Sequence, residues 1–419
     1  MVGPPASLAR FLPSCVLDQL RVAPGVPQQP LVRTRPAVTL VADVSGFTAS
    51  TEALVQAGPE GVEQAKRGLD GFFGALVDQV HAHAGDVLKF AGDGLLACWD
   101  AGPDSGGTVA AVQRAGLCAL ASQVQLRSAR PEGVEVRMMI GAGDLRTELL
   151  GGTRDRWELA VGGDSITQLD AVEPLSRPDQ VVVSPAAVEA AGAAMTGELS
   201  PGGALRLRGV PGFPGLPRKT RKVSPSMAAG MASFIPRAMQ ATLGSGYEEW
   251  TAELRPVSVL FVHLPELDGT AWDQAAIQTL QEQLYRHEGS LNKLGPDPRG
   301  VMALLAFGLP PLAHEEDPLR AVRTAVAVQR TLSALGRSSS VGVATGRAFC
   351  GIVGTEERCE YTLIGDVVNL AARLAQAAHG GVLVDTNTVR RCRGRAAFTP
   401  LEPIELKGKR QPVPIYTPC

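Results

Sequence analysis

Two stretches of this chain repeat one another in order, and that repetition limits the folds open to it more than any other property. Gly85-Asp86-Val87-Leu88-Lys89 is answered by Gly289-Ser290-Leu291-Asn292-Lys293, and Gly163-Asp164 by Gly365-Asp366. Ile140-Gly141-Ala142-Gly143 overlays loosely on Val341-Gly342-Val343-Ala344, and Leu207-Arg208-Gly209 is echoed by Leu406-Lys407-Gly408. Self-similarity at this scale means a duplicated structural unit. A length of 419 residues leaves room for two such units and their connections.

The apolar pattern has the same order in both copies. In the first, a run ending at Asp43 reads as a buried strand, and Leu69, Phe72, Phe73, Leu76 and Val80 have the spacing of one buried helix face over 59–83. A hairpin follows around Ala91-Gly92-Asp93-Gly94. A helix at 107–128, a strand at 134–142 with an arm to about 154, a helix at 164–172 and a short strand at 180–184 complete it. The second copy repeats strand, helix, strand pair, helix and strand from 258 to 385. This is the β-α-β-β-α-β order of a ferredoxin-like α+β unit, and two copies suit a pseudo-twofold pair. The expected divisions are an N-terminal segment 1–35, a first domain 36–210, a linker 211–254 and a second domain 255–419. Residues 6–20 suit a short helix and carry no sign of chemistry.

A net charge of −2 gives no overall field for nucleic acid or an anionic membrane. The basic run Arg218-Lys219-Thr220-Arg221-Lys222 sits among prolines and glycines and reads as a solvated linker. Seven scattered cysteines without a C-x-x-C pair fit reduced thiols. No apolar run reaches the ~18 residues of a membrane span, and no signal peptide is evident. The expectation is a soluble, cytoplasmic protein.

Chemistry-bearing residues are divided between the copies. The first has Asp43 at a strand end, followed by the small turn Ser45-Gly46-Phe47-Thr48, whose backbone amides suit a polyphosphate. It also has Asp93 in the hairpin turn, where Gly-Asp-Gly is equally ordinary turn chemistry. Together the two carboxylates suit Mg²⁺, a hard cation that takes its remaining ligands from water and phosphate. The second copy has His263 in place of Asp43 and a proline-flanked Asp297 in its turn, so it is not expected to hold metal. It carries instead Asn369 and Arg373, four apart on one helix face. That pair suits a ribose and a phosphate, or is simply an exposed polar face.

Asp43-Val-Ser-Gly-Phe-Thr, Lys89-Phe-Ala-Gly-Asp93 and Glu360-Tyr-Thr-Leu-Ile-Gly-Asp-Val-Val-Asn369-Leu-Ala-Ala-Arg373 resemble the motifs of the class III nucleotide cyclases, most closely the bicarbonate-responsive soluble adenylyl cyclases of animals. The resemblance spans roughly 36–418 and implies tandem cyclase domains with one active and one degenerate crevice. It implies two Mg²⁺ ions, with Mn²⁺ able to substitute, held by Asp43, Asp93 and the Val44 carbonyl. Ser45, Gly46, Phe47 and Thr48 would contact the triphosphate of ATP. Lys293 and Thr362, with Leu363 beside them, would read adenine; Asn369 would orient the ribose and Arg373 stabilise the transition state. The implied reaction is cyclisation of ATP to cyclic AMP and pyrophosphate, and the alternative is a catalytically weak or inactive nucleotide-binding regulatory module. Lys89 matches the lysine that binds bicarbonate in that branch, whereas the partner arginine falls on or near Asp170, a carboxylate that would repel the anion. A basic triphosphate contact falls at Met139, with Arg137 its nearest replacement.

Overall fold

The computed structural model describes residues 4–46, 50–51, 54, 59–91, 94–130, 133–212, 222–236, 239–240, 243, 252–267, 272–297, 300–392, 394–406 and 411–419. The expected Asp93, Phe47 and Thr48, and the Lys407-Gly408 of the last repeat block, lie outside the described residues.

Two short helices open the chain, α1 (Pro5–Ala9) and α2 (Ser14–Val22). The first unit then runs β1 (Leu31–Ser45), α3 (Pro59–Ala82), β2 (Asp86–Ala91), β3 (Gly94–Asp100), α4 (Gly107–Ala129), β4 (Glu135–Gly151), β5 (Trp157–Gly162), α5 (Asp164–Val172), β6 (Val181–Val183), α6 (Pro185–Ala191), β7 (Thr196–Leu199) and β8 (Leu205–Gly209). After α7 (Ala228–Ala232), the second unit runs β9 (Glu253–Leu264), α8 (Gln274–Arg286), β10 (Ser290–Asp297), β11 (Gly300–Phe307), α9 (Asp317–Ala334), β12 (Ser340–Gly354), β13 (Cys359–Ile364), α10 (Asp366–Ala377), β14 (Val382–Asp385), α11 (Thr386–Arg391), β15 (Phe398–Ile404) and β16 (Val413–Pro418).

The two sheets have one topology. Strand order is β2-β3-β1-β4-β6-β8-β7 in the first and β10-β11-β9-β12-β14-β16-β15 in the second, with β5 and β13 pairing the long strands β4 and β12. The antiparallel β2-β3-β1-β4 and β10-β11-β9-β12 cores are the ferredoxin-like arrangement. β1 begins at Leu31, ahead of the expected boundary at 36, because residues 31–35 pair with 149–145 of β4. β9 likewise starts at Glu253, which pairs with Cys350. The separate arms expected after 142 and 345 are continuations of single long strands, β4 and β12.

Side-chain alternation sorts each sheet into two faces. Val38, Leu40, Ala42 and Val44 point to an outer core with Leu69, Phe72, Phe73 and Leu76 of α3. The matching outer core of the second unit joins Leu260 and Val262 to Ile277, Leu280 and Leu284 of α8. The inner faces share one core: Met139 and Leu169 from the first unit, Val259 and Leu363 from the second, and Leu12, Val16 and Leu17 from the N-terminal helices. The N-terminal segment therefore belongs to the joint between the units.

Contacts across the joint are reciprocal. α8 meets the far end of β4, where Gln274 Oε1 accepts from Gly151 N at 2.9 Å and Gln281 Nε2 donates to Arg156 O at 3.1 Å. α3 meets the far end of β12: a Cβ on Gly74 would lie 3.4 Å from Thr355 Cγ2, and His81 Nδ1 is 3.0 Å from Glu357. This reciprocity is what a pseudo-twofold pair requires.

One expected overlay shifts. Val41 pairs Met139 in the first unit and Phe261 pairs Gly342 in the second. With β1 and β9 aligned on Asp43 and His263, Met139 matches Gly342 and Ile140 matches Val343, two positions from the sequence overlay. Each long strand keeps a glycine where its own helix crosses. A Cβ on Gly141 would come within 2.4 Å of Ser165 O, and one on Gly342 within 2.1 Å of Ala371 O.

Candidate active site

The hairpins set the site. In both, the register shifts by one residue, between Val87 and Lys89 and between Leu291 and Lys293, so each lysine leaves its strand just after a bulge. The two bulges make Lys89 and Lys293 structural equivalents, as the repeat suggested. Their surroundings differ. Lys293 Nζ donates to Thr362 Oγ1 at 3.0 Å and lies 3.9 Å from Glu360 Oε1. Thr362 is fully buried on β13, beside the buried Leu363. The expected pair of adenine-reading residues is thus brought together.

Lys89 Nζ donates to the backbone carbonyl of Leu294, across the joint. Burial pushes its amine down to about 8, with Glu158 and Glu360 opposing that shift. Burial pushes the Glu158 carboxyl up to about 7, with Arg156 and Lys89 opposing it. Ala160, which pairs Glu148, occupies the position that Thr362 holds opposite Gly351.

Asp43 stands two residues before the end of β1 on its inner face, directly opposite Arg137. Arg137 donates to Asp43 Oδ2 through Nε at 3.0 Å and through Nη2, and Nη2 also reaches Glu173 Oε1 at 3.3 Å. Partial burial pulls the Arg137 guanidinium down, but the bond to Asp43 and the nearby carboxylates outweigh it and the net shift is upward. In the second unit the corresponding pair is the buried His263 and Ser340. Ser45 is exposed at the strand end, and Val44 is buried on the outer face. Gly46 has φ +86°, and a Cβ there would meet Gly133 O at 2.2 Å, so only glycine fits this turn. Its carbonyl accepts from Ser50 N at 3.2 Å.

A carboxylate and a strand-end carbonyl are hard oxygen donors that fit Mg²⁺ or Mn²⁺. Asp43 Oδ1 takes no bond among the described residues, whereas Oδ2 is held by Arg137. No group of three or more potential metal-ligating side chains occurs among the described residues. The donor set fits a divalent cation, with Asp93 outside the described residues.

Asp43 and Lys293 line one cavity of about 530 Å³ at the joint, together with Lys89, Glu158, Asp170 and Glu173. Asn369 and Arg373 lie on the half-buried side of α10, opposite its buried Val367, Val368, Ala371 and Leu374, and neither lines that cavity. Phe11, Leu12 and Val16 supply one wall, so the N-terminal segment reaches the site after all.

Two residues were missed in the sequence. Arg358 is 2% exposed and donates to Val87 O and Leu88 O at 3.0 Å each and to Phe11 O at 3.1 Å. Glu360, two residues on, accepts from Phe90 N at 3.1 Å, joining the second unit to β2 of the first. Their equivalents are Arg156 and Glu158, an ion pair at 3.0 Å in which Arg156 also donates to Ser233 O at 3.0 Å. The signal was present: Arg-x-Glu stands seven residues before the Gly-Asp pair in both copies.

Residues 321–417 match the family profile described as the adenylate and guanylate cyclase catalytic domain. The chain is 28% identical over 442 aligned residues to adenylate cyclase type 10 of Mus musculus, covering 93% of this chain and 27% of that protein. The Homo sapiens protein of that name is 27% identical over 405 residues, covering 86% and 25%. The chain thus spans about a quarter of the length of these curated relatives. Among solved structures, a class III adenylyl cyclase-like ATP-binding protein from Pseudomonas aeruginosa matches 93% of this chain and 94% of its own, with a TM-score of 0.56 and 13% identity. No described helix is long and apolar enough to cross a membrane. Residues 321–417 of the second unit are similar to the adenylate and guanylate cyclase catalytic domain, and the two units together have the fold of a class III cyclase-like protein.

Proposed function

We propose that this chain is an adenylate cyclase, converting ATP to 3′,5′-cyclic AMP and pyrophosphate in the crevice between the Asp43 end of the first unit and β13–α10 of the second. The observation that carries this reading is the Lys293–Thr362 pair, held near the first unit's hairpin by the bond from Phe90 N to Glu360. The ammonium of Lys293 can donate to adenine N1. The Thr362 hydroxyl has a second lone pair for the 6-amino group. Guanine presents N1–H at that edge and would set donor against donor. Asn369 orients the ribose, and Arg373, with no ion pair among the described residues, neutralises charge as it develops on the phosphoryl group. Ser45, Gly46, Phe47 and Thr48 supply the triphosphate turn. Two Mg²⁺ ions, held by Asp43, Asp93 and the Val44 carbonyl, would lower the pKa of the 3′-hydroxyl and offset charge on the phosphoryl oxygens. The first unit thus supplies the metal carboxylates, and the second the base, ribose and transition-state contacts. The relatives named adenylate cyclase support the reading through the portion they share with this chain.

A second reading, a nucleotide-binding regulatory module, is favoured by one observation: Arg137 occupies an oxygen of the metal carboxylate. One assay separates the two. The purified chain is incubated with Mg²⁺ or Mn²⁺ and either ATP or GTP, and both cyclic nucleotides are measured. Cyclic AMP formation that disappears in Asp43→Ala is expected. A wild-type rate no higher than that variant's removes the enzyme reading.

A further inference from the structure

We infer that Arg137 is a counterion that holds the metal carboxylate closed while the crevice is empty and passes to the polyphosphate when nucleotide arrives, an inference that rests on the metal role proposed for Asp43. The sheet itself sets the contact, since Asp43 and Arg137 are direct cross-strand partners on neighbouring strands. The guanidinium fork puts Nε and Nη2 on the same oxygen, Oδ2. A divalent cation brought to that oxygen would face a fixed positive charge, and like charges at hydrogen-bond range repel strongly where water is partly excluded. Nη2 has a second carboxylate within reach, Glu173 at 3.3 Å, on the turn that follows α5. Glu173 and Asp43 line the same cavity, and the guanidinium sits between these two carboxylates. An incoming triphosphate is the stronger anion and accepts the same bidentate fork.

The second unit lacks this device. The position of Arg137 is Ser340 there, and that of Asp43 is His263. The ion pair therefore accompanies the unit expected to bind metal. Its consequence is coupling: metal alone binds against Arg137, whereas metal with polyphosphate binds with its help, and each ligand raises the affinity of the other by the same factor.

The test is binding to the full chain, read by water-proton relaxation enhancement and without turnover. The titrants are Mn²⁺ alone and a preformed Mn²⁺–tripolyphosphate complex, and Asp43→Asn marks the site. Wild type is expected to bind the complex at least about tenfold more tightly than Mn²⁺ alone. Arg137→Gln is expected to tighten Mn²⁺ alone by about fivefold and weaken the complex by about fivefold, moving the two titrants in opposite directions. Arg137→Lys, which keeps the charge without the fork, should fall between. If Arg137→Gln moves both titrants the same way, or neither, while Mn²⁺ binding still depends on Asp43, the counterion role is overturned and the metal reading stands. If no Mn²⁺ binding depends on Asp43, the metal reading falls and the counterion role with it.

Discussion

Lys89 and Lys293 leave the same bulge of the same strand in the two units, yet they end in different company. Lys293 meets the hydroxyl of Thr362, a neutral group with a lone pair to spare. Lys89 is spent on the Leu294 carbonyl, in a wall that also holds Glu158, Asp170 and Glu173. Ala160 supplies no hydroxyl where Thr362 does. The strand ends diverge in the same way, with Asp43 and Arg137 in one unit and His263 and Ser340 in the other. Duplication has kept the backbone and changed a few partners, and those partners decide what each crevice can hold.

The sharpest way to break this contrast is at the strand ends. Asp43→Asn should lower cyclic AMP formation by about a thousandfold or more, the scale of losing electrostatic stabilisation at the reacting phosphate. His263→Ala should change the initial rate by less than about threefold. Comparable losses in both variants would mean the crevices share the work. The buried arginines come next. Arg358→Met strands the carbonyls of Val87, Leu88 and Phe11 and should cost about 3 kcal/mol in urea unfolding. Arg156→Met strands only the Trp157 and Ser233 carbonyls and should cost roughly half as much when both variants are unfolded at about pH 5, where Glu158, the partner it also leaves behind, carries its proton. Equal costs would erase the asymmetry. At the lysines, Lys293→Ala should raise the KM for ATP by about tenfold and narrow the preference over GTP. Lys89→Ala should leave the ATP/GTP ratio unchanged.

The smallest effect is one of pH. Glu158 stays protonated in the folded chain up to about 7, against 4.5 for the ordinary carboxyl. Between those values the folded state holds a proton that the unfolded state has released, so stability should fall as pH rises from 4.5 to about 7. Lys89, pushed down from 10.5 to about 8, acts the other way, and stability should recover as pH rises from about 8 towards 10.5. Thermal melts of Glu158→Gln should lose the acid limb only. Bicarbonate should leave the cyclase rate unchanged, since Lys89 already has an acceptor and acidic neighbours. An increase abolished by Lys89→Ala would refute that view of the degenerate crevice.

The duplicated blocks made the fold legible in the sequence, because buried strands and helix faces leave local periodic patterns. The equivalence of Lys89 and Lys293 was legible for the same reason. The pairing of Asp43 with Arg137 was not, since it depends on which residues of β1 and β4 stand opposite, a register that neither strand states alone. The loose overlay at Ile140 failed where each helix crosses its strand at a different point, so matching glycines did not mean matching positions. Arg358 escaped notice because its ligands are main-chain carbonyls, which carry no residue identity. The wall built by Phe11, Leu12 and Val16 was hidden for a related reason. A short apolar segment does not announce which surface it will cover.

Arg358 also has a consequence for how the chain comes into being. It is separated from the Leu88 carbonyl it ligates by 270 residues, and Cys359 N donates to Arg10 O at 2.8 Å. During synthesis the first hairpin and the opening helices emerge long before the residue that fastens them. For that interval their carbonyls and apolar side chains have only water or a chaperone to cover them. This side of the joint is fastened only when that late guanidinium arrives, a long-range step of the kind that slows folding and exposes sticky intermediates. A ribosome pause or a truncation before 358 would leave the first half made but not sealed.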